Sequence, residues 1–326
     1  MRCYAAGIAW WQGPDGPYWG HNAILRIAPF RDHAALPVLP NGARILSHDQ
    51  VEAALLRGAR WEVRLDPLEQ GSYEANPPSL LEFMRRDVRW MAGNLQYFAL
   101  LRLSLFSWMG RIQLILAILL FLWSPIVVGI ALAALVNALD ADPRAAVDAG
   151  WGIAATALFA LLFFTPKLLG ALEVALKTDA RAAWGGGRRL AAGVAVEFLF
   201  YLLLVPISAL NQTIEMAAMA LGRRIGWAPQ TREDRRVPLG TAARALWAHT
   251  LAGLTLLAGF AVAGWTSFVW ALPLLAGAAL AVPYCVLTAD PALGVRLVRA
   301  GIGTIPEERD PASPFPPLLT PQAGAA

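Results

Sequence analysis

Two long runs without a charged residue constrain the fold of this chain most. Residues 112–139 contain 28 positions, and residues 245–289 contain 45, without Asp, Glu, Lys or Arg. A membrane-spanning helix needs about 20 apolar residues, so the first run predicts one span. The second run would be about 68 Å long as one helix, more than twice the hydrocarbon thickness of about 30 Å. It therefore predicts two helices that fold back at Gly264-Trp265-Thr266.

The composition supports a polytopic membrane protein. Apolar residues make up 57% of the chain and charged residues only 15%, against about 25% charged in a typical soluble domain. An uncharged stretch at 151–166 continues past Lys167 to about Leu176 and predicts a second span, with its lysine reaching towards the interface. The two cysteines lie at opposite ends of the sequence, which excludes a disulfide framework.

The segment 190–221 is harder to interpret because polar residues interrupt it. Basic residues favour the cytoplasmic side of short loops, and arginines flank this segment on both sides. Both of its ends are therefore expected in the cytoplasm. This predicts a hairpin bent near Pro206, or a re-entrant and interfacial pair, rather than a single span.

Four regions follow from these patterns. Residues 1–111 carry 12 basic and 10 acidic residues and are predicted to be soluble. Within them, 1–78 is separated from 79–111 by the turn signal before Ser79, and 112–289 forms the transmembrane region. The segment 290–326 is rich in Pro and Ala and is predicted to be a flexible cytoplasmic tail.

A capping box, Ser79-Leu80-Leu81-Glu82, marks the start of a helix in the soluble part. The residues that follow are spaced so that one side of the helix is apolar and the other side is polar. Arg86, Arg89 and Trp90 share the polar face, where two guanidinium groups beside an indole suit a phosphorylated sugar. By spacing alone, an interfacial helix is the simpler interpretation. The apolar stripe consists of Met84, Val88, Met91, Leu95 and Phe98.

A second capping box, Ser47-His48-Asp49-Gln50, places Asp49 in the first turn of another helix. An acid there usually complements the helix dipole, although it is also placed to act as a base. The segment Tyr18–Asn22 is predicted to be a loop that enters a strand at 23–27. Its residues are typical of carbohydrate sites and equally of ordinary turns. The histidines show no recognised metal spacing, so no metal ligand is predicted.

Four segments carry a family resemblance: Tyr18-Trp19-Gly20-His21-Asn22-Ala23-Ile24, Ile45-Leu46-Ser47-His48-Asp49-Gln50-Val51-Glu52-Ala53, Gly71-Ser72-Tyr73-Glu74 and Arg86-Asp87-Val88-Arg89-Trp90. Their order and spacing resemble the glucans biosynthesis glucosyltransferases. These are membrane-embedded family 2 glycosyltransferases that make the β-glucan backbone of osmoregulated periplasmic glucans. The similarity continues through 221–223 and 227–232 to Ile305-Pro306-Glu307-Glu308.

The resemblance implies a role for each candidate site residue. Asp49 occupies the place of the general base in the Thr-Glu-Asp motif of related synthases. The segment 86–90 resembles the (Q/R)xxRW motif, in which Arg86 and Arg89 would stabilise the diphosphate leaving group. The acceptor sugar would be held by Trp90 together with the loop residues Tyr18, Trp19, Gly20, His21 and Asn22.

The chain departs from the family at the nucleotide and metal site. The resemblance implies a divalent metal, Mg²⁺ or Mn²⁺, held by an Asp-x-Asp motif, but no such motif precedes Tyr18. Asp140-Ala141-Asp142 matches the Asp-x-Asp pattern, but it lies in the predicted periplasmic loop. The expected fold is an α-helical polytopic membrane protein with an incomplete N-terminal α/β, GT-A-like cytoplasmic portion. In that case 1–78 corresponds to the C-terminal part of a GT-A domain.

The resemblance implies transfer of glucose from UDP-glucose to a growing glucan. The alternative is a non-catalytic membrane subunit that keeps the acceptor site and the glucan channel and needs a separate nucleotide-binding chain. The lipid bilayer is a predicted partner, a separate N-terminal chain and a homo-oligomer are left open, and nothing predicts nucleic acid binding. The expected location is the bacterial inner membrane, with a cytoplasmic C-terminus.

Overall fold

The computed structural model describes residues 2–68, 74, 76–140, 149–226 and 235–308. Short 3₁₀ turns at Gln96–Ala99 and Pro306–Glu308 accompany the α-helices. The α-helices of the described residues are α1 (Arg2–Gln12), α2 (Ile27–His33), α3 (Asp49–Gly58), α4 (Leu80–Leu95), α5 (Trp108–Leu139), α6 (Ala149–Leu176), α7 (Thr178–Ala183), α8 (Gly187–Ala220), α9 (Leu239–Ala263), α10 (Trp265–Ala279), α11 (Ala281–Thr288) and α12 (Pro291–Arg299).

Four of these helices, α5, α6, α8 and α9, are long and apolar enough to span a membrane. The pair α10 and α11, bent by 56° at Leu280, makes a fifth span if the two are counted together. The predicted spans at 112–139 and 151–176 are confirmed as helices. The predicted fold-back is also confirmed, because α9 ends at Gly264, whose φ of +138° is open to glycine but strained for other residues.

The predicted bend at Pro206 is wrong. Helix α8 runs without a break from Gly187 to Ala220 and contains Pro206 in its interior. Such a helix is about 51 Å long, so its two ends cannot meet as they would in a hairpin. A proline inside an apolar helix is tolerated where neighbouring helices and local adjustments satisfy the freed backbone groups.

The predicted strand at 23–27 is also wrong. Residues 23–26 have no regular structure, and α2 begins at Ile27. Across the described residues, strand-like pairing is limited to one isolated parallel bridge between Asp15 and Val63. An α/β, GT-A-like portion is therefore not shown in the described part of the chain.

The segment predicted to be a flexible tail contains helix α12 and the second 3₁₀ turn in its described part. Asp290 caps α12 by accepting a hydrogen bond from the backbone nitrogen of Ala292 at 3.0 Å. Residues 309–326 lie outside the described residues.

The chain forms two compact units. The first contains the described residues of Met1–Pro77, Glu82–Ala131 and Ser208–Arg232, and the second contains those of Pro78–Leu81, Leu132–Ile207 and Glu233–Ala326. The core of the first unit joins α3 to α5 through side chains such as Val51, Tyr97 and Leu114. The core of the second unit lies between α9 and α10.

Candidate active site

Helix α3 presents Asp49 at its first position, as the sequence predicts. The Asp49 side chain is about one quarter exposed, and its Oδ1 lies 3.4 Å from Nδ1 of His48. The predicted capping box does not form. His48 is the residue before the helix, and no side chain caps the helix start among the described residues.

Glu52, one turn along α3, was not singled out by the sequence analysis. Its carboxylate is 8% exposed, and its Oε1 lies 2.9 Å from Nδ1 of His48. Burial raises the pKa of Glu52, while the neighbouring imidazole of His48 opposes that shift. The His48 ring therefore lies between two carboxylates, one buried and one partly exposed.

The loop at 18–22 lies directly over the carboxyl group of Asp49. A Cβ atom on Gly20 would fall within 3 Å of all three atoms of that group, and the φ of Gly20 is +89°. Only glycine allows both this backbone conformation and this close approach. Burial first, and then the charges of Glu52 and Asp49, raise the pKa of the Tyr18 phenol. The structure thus brings together the predicted base and the predicted acceptor loop.

The C-terminal end of α4 holds the segment that leads into Asp49. A Cβ atom on Gly93 would overlap both the side chain and the backbone nitrogen of Ser47. The Tyr97 hydroxyl, on the 3₁₀ turn that follows α4, donates a 2.6 Å hydrogen bond to the Ser47 carbonyl oxygen. The Gln96 amide oxygen accepts a hydrogen bond from the backbone nitrogen of Leu46 at 2.8 Å. These contacts fix the position of α4 relative to Asp49.

Arg86 and Trp90 form a stacked pair on α4. The Arg86 guanidinium carbon lies 4.6 Å from the centroid of the Trp90 ring, which is a cation–π geometry. Burial lowers the pKa of Arg86, while the charges of Glu74 and Asp87 oppose that shift. The Arg86 Nε is buried without a hydrogen-bond partner among the described residues.

Glu74 connects the loop to this pair. Its Oε2 lies 3.0 Å from Nδ1 of His21, and its charge acts on Arg86. Direct contact between the Arg86–Trp90 pair and Asp49 is not found within the described ranges. The two are joined through Glu74 and His21 on one side and through Gly93 and Ser47 on the other.

Asp87 lies on a different face of α4 from the Arg86–Trp90 pair. Its Oδ2 accepts a 2.5 Å hydrogen bond from the Gln212 side-chain amide of α8, whose oxygen accepts one from the Ser124 hydroxyl of α5. Burial raises the pKa of Asp87, and the Gln212 hydrogen bond opposes that shift. This buried chain was not predicted, although polar residues inside apolar helices are a recognisable signal.

One group of possible metal ligands occurs among the described residues. Ligand atoms of His48, Asp49 and Glu52 all lie within 4.8 Å of one another. The group fits a diphosphate-bound Mg²⁺ poorly, because that ion prefers oxygen ligands and His48 is already paired with Glu52. Binding would also occupy Asp49.

Parts of the predicted motifs lie outside the described residues. They are Gly71, Ser72 and Tyr73, the segment 227–232, and Asp142 of the apparent Asp-x-Asp match.

Comparisons with known proteins were made over the whole chain. Relatives called "Glucans biosynthesis glucosyltransferase H" match nearly all of it. The relative from Rhodopseudomonas palustris strain TIE-1 is 36% identical over 332 residues, covering 94% of this chain and 45% of the relative. The relative from Caulobacter vibrioides strain NA1000 / CB15N is 37% identical over 345 residues, which cover 98% of this chain and 51% of the relative. The relative from Xanthomonas oryzae pv. oryzae strain MAFF 311018 is 35% identical over 327 residues, which cover 94% of this chain and 50% of the relative.

No family model and no solved structure matches the chain. The chain spans about half the length of the curated relatives it matches, and the matched half is their C-terminal part. The resemblance noted from sequence motifs is therefore confirmed: over almost its whole length this chain is similar to the C-terminal part of glucans biosynthesis glucosyltransferase H.

Proposed function

We propose that this chain is the acceptor-binding and membrane part of a β-glucan synthase that transfers glucose from UDP-glucose to a growing glucan. The names of the relatives support a role in glucan biosynthesis. The observation that carries the chemistry is the contact of Gly20 with the carboxyl group of Asp49. It joins a partly exposed acid to a loop rich in aromatic and hydrogen-bonding side chains.

In this proposal Asp49 removes the proton from the acceptor hydroxyl as that oxygen attacks the anomeric carbon of the donor glucose. The new C–O bond forms on the face opposite the departing diphosphate, so the anomeric configuration inverts. UDP leaves with the electrons of the broken bond, and the proton stays on Asp49 until solvent takes it. Arg86 and Arg89 offset the charge on the leaving diphosphate through guanidinium hydrogen bonds.

The acceptor would lie between the loop Tyr18–Asn22 and the indole of Trp90, which is 38% exposed beside the stacked Arg86. Sugar rings pack their apolar faces on exposed indoles, and the polar side chains of Tyr18, His21 and Asn22 would bind hydroxyl groups. Residues 1–78 would complete a GT-A domain with protein that lies outside the matched half of the relatives. That other part would supply the nucleotide site and the ligands for Mg²⁺ or Mn²⁺.

A second candidate is a non-catalytic membrane subunit that works with a separate nucleotide-binding chain. This candidate is based on the observation that the matched relatives are about twice as long as this chain. In either case we place the protein in the bacterial inner membrane with a cytoplasmic C-terminus. The arginines of α12 support that side, because basic residues favour the cytoplasmic surface.

The test uses a chimera in which this chain replaces the matched half of the Caulobacter vibrioides relative. Asp49→Asn should lower incorporation of radiolabelled glucose by about 10²–10⁴-fold while UDP affinity stays within about twofold. Asp32→Asn is the matched control, since it makes the same change at a half-exposed acid paired with Arg31. Arg89→Lys should also be harmful, because lysine cannot make a bidentate contact.

An Asp49→Asn chimera within about threefold of the unmodified chimera, against the expected 10² or more, would remove the base assignment. Trp90→Ala should raise the concentration of acceptor needed for half-maximal rate with little change in UDP affinity. Unchanged acceptor use would contradict the proposed acceptor site.

A further inference from the structure

Four exposed arginines of the second unit form no ion pair with a carboxylate within the described ranges. Arg188 and Arg189 lie in the first turn of α8, and Arg296 and Arg299 lie in the last turns of α12. Ion pairs involving any of the four are absent from the described part of the chain. The nearby Arg236, by contrast, pairs with Asp290 at 3.0 Å. The Asp290 carboxylate also interacts electrostatically with Arg296, so it offsets part of this charge, and the cluster keeps an excess of positive charge.

The ends of the two helices that carry these arginines are in contact. A Cβ atom on Gly301, two residues beyond α12, would lie 2.8 Å from both Cδ and Nε of Arg189. The backbone nitrogen of Gly301 donates to the Val298 carbonyl at 2.8 Å, so this turn continues directly from α12. Gly193, one turn further along α8, lies beside Gly303. The C-terminal end of α12 and the N-terminal end of α8, which carry these arginines, thus lie side by side.

This cluster lies at the ends of apolar helices. Helix α8 is a candidate membrane span that begins at Gly187, and α12 follows α11 after only two residues. In α12, Arg296 and Arg299 stand three residues apart on one face, while Leu293, Leu297 and Val298 occupy the other. An amphipathic helix of this kind lies along the membrane surface, with its basic face at the level of the headgroups.

We propose that Arg188, Arg189, Arg296 and Arg299 form a binding surface for the phosphate headgroups of anionic phospholipids. The occupant is anionic because four guanidinium groups and the positive end of the α8 dipole outweigh the nearby Asp290 carboxylate. It is a lipid because the cluster joins an amphipathic helix to two apolar helices. The proposal does not depend on the glucan-synthase function.

The test uses the purified full chain in a neutral detergent, with bound lipids counted by native mass spectrometry. Phosphatidylglycerol should bind at least about tenfold more tightly than phosphatidylcholine. Arg296→Gln/Arg299→Gln should weaken phosphatidylglycerol binding by about 25-fold, at roughly fivefold per arginine, and leave phosphatidylcholine binding unchanged. The control Arg235→Gln/Arg244→Gln removes the same charge elsewhere in the second unit and should have less than twofold effect.

A separate experiment compares lipid binding in inorganic phosphate with lipid binding in chloride at the same ionic strength. Equal loss of lipid in both salts supports a headgroup surface, whereas selective displacement by phosphate would overturn the lipid assignment. Equal effects of the two double variants would show only a response to net charge and would also overturn it. Should Arg296→Gln/Arg299→Gln lose its folded melting transition, Arg188→Gln/Arg189→Gln provides the same test on α8.

Discussion

Gly93→Ala is the sharpest test of the contact between α4 and the Asp49 segment. Gly93 lies inside α4, where alanine normally stabilises a helix by about 0.5–1 kcal/mol relative to glycine. Here the added methyl group would lie 2.6 Å from the backbone nitrogen of Ser47. Non-bonded carbon contacts need about 3.5 Å, so Ser47 would have to move by roughly 0.9 Å.

The backbone of Ser47 cannot move away alone, because the Tyr97 hydroxyl holds its carbonyl oxygen. Overpacking of this kind typically costs about 1–3 kcal/mol. The matched control is Gly129→Ala in α5, since Gly129 is also helical, also in the first unit, and has open space around its Cβ position. The difference in stability between the two variants therefore isolates the overpacking cost of about 1–3 kcal/mol.

The free energy of unfolding would be measured in mixed micelles by following helix content with circular dichroism during denaturation. In the chimera, Gly93→Ala should also lower glucose incorporation, because Ser47 is two residues from Asp49 and a shift of about 1 Å can cost about 10² in rate. If Gly93→Ala were as stable as Gly129→Ala, the close packing of α4 on Ser47 would be refuted.

Three further predictions use single changes and the same unfolding measurement. Tyr97→Phe should cost about 1–3 kcal/mol, because it leaves the Ser47 carbonyl oxygen without its donor; an unchanged unfolding curve would contradict that bond. Burial raises the pKa of Asp87, so the folded state binds more protons and the free energy of unfolding falls as pH rises above the ordinary aspartate pKa of about 4. Asp87→Asn should flatten that fall, and an identical pH profile would refute it. Gly264→Ala should cost about 1–3 kcal/mol from backbone strain alone, since open space surrounds its Cβ position, and a neutral result would indicate another conformation at Gly264.

The membrane helices could be predicted where length alone decides the answer. A run of 45 uncharged residues exceeds one bilayer crossing, and glycine beside tryptophan marks the only turn signal near its middle. The structure places the break at Gly264, between α9 and α10. This prediction required only the residues of the uncharged segment itself and no knowledge of which other helices it contacts.

The prediction failed for α8 because flanking charge was given more weight than helix continuity. Glu197, which argued against a span, pairs with Lys167 of α6, a residue 30 positions away. Lys167 also lies 3.6 Å from the Tyr201 ring centroid. A charge that finds its partner on another helix does not interrupt the helix that carries it, and local sequence cannot show that pairing.

In the site, Asp49 and the loop at 18–22 were predicted through the resemblance, whereas the residues that hold them were not. Tyr97 was missed because helical spacing pointed to Phe98. The helix tightens to a 3₁₀ turn at Gln96, so Tyr97 becomes fully buried and Phe98 is 55% exposed. Glu52 had a signal, since His48 and Glu52 stand four residues apart on one helix face.

The two interpretations of α4 differ in what covers its apolar stripe. A helix that lies on a membrane needs that stripe free for lipid, yet Val88 and Met91 pack on Phe121 of α5 and on Met216 and Met219 of α8. This part of the stripe is therefore covered by protein within the first unit, although Phe98 at its end is exposed. Arg86 and Trp90, on the opposite face, contribute little to that packing, so fold stability alone does not require them. Their proposed role in ligand binding therefore depends on the variants of Trp90 and Arg89 described above and not on the packing of α4.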